Sequence, residues 1–337
     1  MIIKDINKQQ IPIVGNILPI NKDNIIPIKI DKKIEIVVVP NLGEPNSHQD
    51  NVGIILEEKK IQRILSKRYK HVLITEINSM DDLEQLARRK PDLVFSGVKY
   101  FCFNNKKIWL NDYLEIFLIP YIASSKAALD NESDKNRAKN IMQQNDIRTA
   151  DYFITNPGEY IKESSIPIKF PLFIKPITGG DSRGVDKNSL VFNFEEFTAK
   201  VLDIKLKLNT SSLVETYLAG KEYSVGIFED SIDGSLRAMP IEIIVKKNID
   251  GYCILDFDVK KNDEEEVVLV SDKKIFKKLT EIAKNSFVAL GGKSLGRIDI
   301  KMDHLGEPHF IEANLMPGLR KGYFYRSCVL NLDMSYD

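Results

Sequence analysis

Two stretches near the C-terminus constrain the fold most: RIDIKMD (residues 297–303) and HFIEANL (309–315). Each alternates apolar and polar residues with the period of two that a β-strand requires. In the first, Arg297, Asp299 and Lys301 point to one face, and Ile298, Ile300 and Met302 to the other. In the second, Phe310, Glu312 and Asn314 share a face. A two-residue turn at Leu305-Gly306 sets Asp299 opposite Glu312 and Arg297 opposite Asn314. Two carboxylates and an amide oxygen then converge beside an arginine, and the natural partner is a hard divalent cation, Mg²⁺. The alternative is an ordinary solvated sheet face with cross-strand pairs.

The 337 residues leave room for two or three domains, at roughly 100–200 residues each. A hydrophobic fraction of 43% against 28% charged residues places the chain among globular rather than disordered proteins. Lys plus Arg (48) balances Asp plus Glu (48), which removes the electrostatic case for a nucleic-acid or anionic-membrane partner. Cys102, Cys253 and Cys328 lie far apart with no C-x-x-C. That spacing argues against a disulfide framework or a Cys-based zinc site, and it fits a reducing cytosol. The N-terminal MIIKDINKQQIPIV lacks the apolar stretch of a signal peptide, and no segment approaches the roughly 20 apolar residues of a membrane span. A cytoplasmic protein is expected.

Residues 1–33, broken by Pro12, Pro19 and Pro27, read as an irregular N-terminal extension. IEIVVVP (34–40) is a nearly continuous apolar run, as in a strand buried on both faces. A helical stretch carrying Ile54, Ile55, Ile61, Ile64 and Leu65 follows, then a strand HVLIT (71–75), a helix over 80–89 and a strand DLVFS (92–96). This alternation predicts a doubly wound α/β domain over about 34–125. Ser133-Asp134-Lys135 reads as an N-cap before a helix to about Gln144. Strand signals dominate afterwards, interrupted by one long helix from Asp272 to Leu290. The expected fold is therefore α/β followed by α+β, with two α+β lobes, 126–212 and 213–337.

Two more motifs carry chemistry. FPLFIKPITGGDSRGVD (170–186) delivers Lys175 on an apolar strand and then places Gly179, Gly180 and Gly184 in a polar loop. Glycines let backbone N–H groups wrap phosphate oxygens, and the lysine adds a fixed positive charge. The order is not that of a P-loop, and a glycine-rich hairpin without a ligand is the alternative. LVETYLAGKEYSV (213–225) ends one strand at Glu215 and begins another at Glu222. These carboxylates suit an adenine amine and ribose hydroxyls, or they are ordinary surface glutamates.

In this order, the pieces resemble the ATP-grasp superfamily, in its D-alanine–D-alanine ligase-like branch. The resemblance runs from about Ile34 to the C-terminus and is carried by K-P-x-x-G-G-x-S-x-G, E-T-Y-L-A-G-K-E-Y-S-V-G, and R-I-D followed by E-A-N-L-M-P-G. It implies an ATP-grasp fold in which the two α+β lobes enclose ATP, and it implies a role at each matching position. Lys135 and Lys175 would be the two nucleotide lysines, and Gly180 through Gly184 the loop over the phosphates, with the Ser182 backbone at the γ-phosphate. Glu215 would face the adenine amine, Leu218 line the hinge, Glu222 hold the ribose, and Lys260 lie near the γ-phosphate. Asp299, Glu312 and Asn314 would bind two Mg²⁺ ions, replaceable by Mn²⁺, while Arg297 and the Gly318 N–H would stabilise an oxyanion. The implied reaction is ADP-forming, carbon–nitrogen ligation of a small-molecule carboxylate to an amine, both expected to be amino acids, and homodimers are common in the family.

The amino-acid half departs from that pattern. The family's serine and tyrosine positions hold Asp181 and Lys261, and its N-terminal glutamate has no clear counterpart near Gly43-Glu44. Val98-Lys99-Tyr100-Phe101 replaces an H-G-like loop, and Leu319 to Tyr323 follow the P-G turn where the family places an acceptor-binding serine. Arg320 and Lys321 are candidate contacts to an anionic substrate group. The chain ends at Asp337, early for the family. The reading is a ligase for substrates other than two D-alanines. The alternatives are a D-alanine–D-alanine (or D-lactate) ligase and a nucleotide-binding protein of this fold without ligase activity.

Overall fold

The computed structural model describes residues 29–38, 52–54, 56–104, 106–179, 182–230, 233–247, 251–320 and 322–337. Most of the N-terminal extension, the end of the first apolar run and Gly43-Glu44 lie outside them. The first layer contains β1 (Ile30–Val38), β2 (Val52–Gly53), α1 (Glu58–Arg68), β3 (Tyr69–Glu76), α2 (Met80–Arg89), β4 (Leu93–Ser96), β5 (Val98–Phe103), β6 (Lys106–Trp109), α3 (Leu110–Ile116) and β7 (Tyr121–Ile122). β3, β1, β4 and β7 form, in that order, a parallel sheet. Buried Ile34, Ile36 and Val37 explain the apolar run of β1. Glu35 interrupts it because Arg89 and Thr75 satisfy its carboxylate, at 2.8 and 2.6 Å.

Three expectations change here. β1 begins at Ile30, inside the stretch read as extension. The first helix begins at Glu58, so Ile54 lies in extended chain, its N–H donating to Gly97 O at 2.6 Å. Val98–Phe101, read as a loop, is strand β5, paired with β6 so that the bulky Tyr100 and Trp109 face each other.

The next segment contains α4 (Lys126–Ser133), α5 (Lys135–Gln144), β8 (Tyr152–Thr155), β9 (Leu172–Pro176), β10 (Leu190–Val191), α6 (Phe194–Leu208) and β11 (Ser212–Thr216). Its antiparallel sheet has the order β10-β9-β11-β8. Asp134 caps α5, its side chain accepting from the N–H groups of Asn136 and Arg137. A second long helix, α6, interrupts the strands where only one was expected. Asn193 caps it, and Phe197, Val201 and Ile204 bury one face against the sheet.

The last segment contains β12 (Glu222–Glu229), β13 (Leu236–Ile244), α7 (Phe257–Asn262), β14 (Glu266–Leu269), α8 (Lys273–Ala289), β15 (Leu295–Met302), β16 (Pro308–Asn314) and α9 (Tyr323–Leu332). Its sheet has the order β14-β13-β12-β15-β16. α8 packs Leu279, Ile282, Ala283 and Phe287 into a core with Val225, Ile298 and Ile300. α4 and α5 add Ala128, Leu129, Ala138 and Met142 to this core, so the 126–212 segment is shared between two cores.

The β15–β16 hairpin corrects the turn. Asp303 N–H donates to Glu307 O at 3.0 Å across a three-residue loop, His304-Leu305-Gly306, with Gly306 at φ +76°. The register then shifts between Asp299 and Ile300, where Ile311 is the extra residue of a bulge. The bulge offsets the longer loop. Asp299 therefore pairs with Glu312 and Arg297 with Asn314. Phe310 pairs with Ile300 in the core, on the face opposite to Glu312, and not beside it as simple alternation requires.

Candidate active site

An open cleft lies between the four-stranded sheet of β8–β11 and the five-stranded sheet. Lys175 and Phe173 on β9, Glu215 on β11, Glu222 on β12, Lys301 on β15 and Glu312 on β16 line it. Ser182, Leu218 and Lys260 join the wall from connecting segments and α7. The strands place these side chains because polar residues of each alternate with residues committed to the cores.

At one end, Asp299 and Glu312 face each other across β15 and β16. Ser224 Oγ donates to Asp299 Oδ1 at 2.6 Å, and Arg297 Nη2 to Oδ2 at 2.9 Å. Burial raises the Asp299 carboxyl above its ordinary range, Arg297 opposing and the Glu312 charge reinforcing. Burial also pushes Glu312 upward, but Lys260, Lys135 and Lys175 outweigh it and bring the group down to about 2. Asn314 follows, its Oδ1 accepting from Met316 N–H at 3.1 Å. Among the described residues no cluster of three His, Cys, Asp or Glu side chains could hold a metal. The oxygen set here is instead two carboxylates and an amide, which suits a hard cation that keeps several waters.

The lysines come from three directions. Lys135 opens α5 and donates to Gly179 O at 2.7 Å; burial lowers its ammonium pKa, with Glu312 opposing. Lys175 Nζ lies 2.7 Å from Glu215 Oε2. Lys139, one helical turn beyond Lys135, lies 2.5 Å from Glu215 Oε1 and is 1% exposed at its side chain. Sequence reasoning missed Lys139. Its spacing of four from Lys135 on a capped helix was the available signal. Lys301, also given no role beforehand, pairs with Glu222 at 2.9 Å within the same cleft. Ser182 and Gly184 adopt positive φ, +56° and +77°, in the turn that brings Ser182 to the cleft.

Other candidates lie apart. Lys261 is exposed on α7, its Nζ 5.9 Å from the Phe257 ring centroid, and Arg320 is exposed beyond the P-G turn. Neither lines the cleft. Gly318 faces open space, where a Cβ would meet no atom within 4 Å. Gly180, Asp181 and Lys321 lie outside the described residues.

Residues 141–337 match the family described as D-ala D-ala ligase C-terminus. A D-alanine–D-alanine ligase of Aquifex aeolicus is 32% identical over 241 residues, covering 70% of this chain and 75% of that one. Another, from Leptospira interrogans, is 30% identical over 222 residues and covers 62% and 60%. Among solved structures, the D-alanine–D-alanine ligase of Bacillus anthracis complexed with ATP aligns with TM-score 0.61 at 18% identity, over 88% of this chain and 91% of that one. The VanG D-Ala:D-Ser ligase of Enterococcus faecalis aligns with TM-score 0.62 at 17% identity, over 91% and 96%. The fold is thus ATP-grasp, and the chain belongs to the D-alanine–D-alanine ligase family.

Proposed function

We propose that this chain is an ATP-dependent carboxylate–amine ligase that forms an amide through an acylphosphate and releases ADP and phosphate. The observation that carries the reading is the approach of Lys135, Lys175 and Lys260 to the Glu312 carboxylate beside Asp299, in a chain of this family. Lys135 and Lys175 would hold the phosphates under the loop of Gly180, Ser182 and Gly184. Glu215 and Leu218 would face the adenine and Glu222 the ribose. Asp299, Glu312 and Asn314 would hold two Mg²⁺ ions, which offset charge on the phosphoryl oxygens and on the leaving ADP.

A substrate carboxylate oxygen attacks the γ-phosphorus, and the bond to ADP breaks. The amine nitrogen then attacks the acyl carbon, phosphate departs with the bonding electrons, and the nitrogen loses a proton. Arg297 and the Gly318 N–H would stabilise the oxyanion between those steps. The division into 34–125, 126–212 and 213–337 belongs to the same proposal, the last two segments enclosing the nucleotide. So do a cytoplasmic setting and a homodimer.

The substrates we propose are amino acids other than two D-alanines, because Leu319 to Tyr323 follow the P-G turn where the resembling ligases carry a serine. A second reading, joining two D-alanines, is favoured by the names of relatives 30% and 32% identical. Chromatography of the spent nucleotide across a panel of D- and L-amino acids separates them. ADP is expected in every productive pair; AMP and pyrophosphate would sink the mechanism, and turnover confined to D-alanine would establish the second reading.

A further inference from the structure

Tyr323 opens α9 and is 7% exposed. Its ring centroid lies 5.5 Å from Arg297 Cζ and 5.9 Å from Lys260 Nζ. These cations come from different elements, β15 and α7, and both act electrostatically on Asp299 and Glu312. The aromatic face is negative and attracts each of them, most effectively where water is excluded. Arg297 needs such a seat, because its buried Nε has no hydrogen-bond partner. Lys260 needs one because its flexible stem stands on a six-residue helix without a buried residue.

The ring itself is fixed. Tyr323 Oη donates to Glu265 Oε1 at 3.0 Å, just beyond α7, and the ring packs with Ile241, Ile243 and Leu255. Arg326, three residues along α9, reaches Glu265 at 3.5 Å and pairs with Asp263, the C-cap of α7. α9 therefore latches the segment that bears Lys260.

We propose that Tyr323 is a positioning residue for the phosphoryl-transfer end of the cleft, its ring seating Lys260 and Arg297 against the two carboxylates. The inference rests on the nucleotide reading above, with Lys260 near the terminal phosphate. It predicts that the ring matters to a nucleotide with a third phosphate and not to one with two.

The test compares calorimetric binding of Mg²⁺ with the β,γ-imido analogue of ATP and of Mg²⁺ with ADP. Tyr323→Leu should lose roughly tenfold in affinity for the analogue, as for a desolvated cation–π contact, with ADP affinity changed less than about twofold on the same basis. Tyr323→Phe, which keeps the ring, should retain the wild-type preference. Thermal melting without nucleotide checks folding, and Tyr323→Met replaces the leucine variant, with the same expectation, if leucine does not fold. A ring-less variant with unchanged preference, an equal loss for both nucleotides, or a phenylalanine variant as impaired as the leucine one would each overturn the inference alone. Wild-type protein that binds neither nucleotide would overturn the proposed function as well.

Discussion

Glu215 receives ammonium groups from Lys139 and Lys175, so this buried cluster carries one positive charge more than it neutralises. Burial pushes the Glu215 carboxyl up, yet the two lysines outweigh it and bring the group down to about 2. For Lys139 burial prevails over the single anion it shares, and its ammonium pKa falls. Such a surplus suits an anionic ligand. Glu215→Gln removes the counter-ion and leaves both lysines buried, at an expected cost of about 3–5 kcal/mol in urea unfolding. A loss below about 1 kcal/mol would mean that the lysines find water or lose their charge instead. The sign with pH follows from the lowered value. Glu215's contribution is complete above its ordinary 4.5 and is lost as pH falls toward about 2. The stability gap between wild type and variant should narrow through that window, and a constant gap would show that another group titrates.

At the scale of elements, the Ile311 bulge makes its own prediction. The bulged residue has no partner on β15, so deleting Ile311 leaves Asp299 opposite Glu312 while removing one residue from the cleft lining. The expected variant folds, keeps its Mg²⁺ dependence and binds nucleotide more weakly; a chain that no longer folds would show that the bulge sets the register. The same hairpin marks the limit of legibility. Alternation identified both strands and the facing of Asp299 and Glu312, but nothing local distinguishes a two-residue turn from a three-residue loop with a compensating bulge. α6 was legible and missed: Asn193 stands three residues before Glu196, and Phe197, Val201 and Ile204 keep helical spacing. β5 was missed because its pairing with β6 hangs on cross-strand aromatic contact. For Lys139 the spacing from Lys135 placed it on the same helix face, but its burial depends on a sheet folded from residues far along the chain.

The whole chain balances 48 basic against 48 acidic residues, yet the cleft between the β8–β11 sheet and the five-stranded sheet gathers Lys135, Lys139, Lys175, Lys260, Arg297 and Lys301 around fewer carboxylates. A phosphate-bearing ligand that touches both sheets would tie them together, and stabilise the fold by its binding free energy. At about a hundred times its dissociation constant that amounts to roughly 2.7 kcal/mol, or about 3–6 °C in melting temperature for a chain of this size. The size of the shift should depend on magnesium. With the cation present, Asp299 and Glu312 are neutralised and the phosphates can approach them; with a chelator, the same carboxylates repel the phosphates. The expected order of melting temperature is Mg²⁺ with ATP highest, ATP with chelator lower, and Mg²⁺ alone close to the free protein. Manganese should replace magnesium, because both take oxygen ligands. Equal shifts with cation and with chelator would remove Asp299 and Glu312 from metal binding while leaving the lysine-lined cleft as a nucleotide site, whereas no shift under either condition would remove the nucleotide as well.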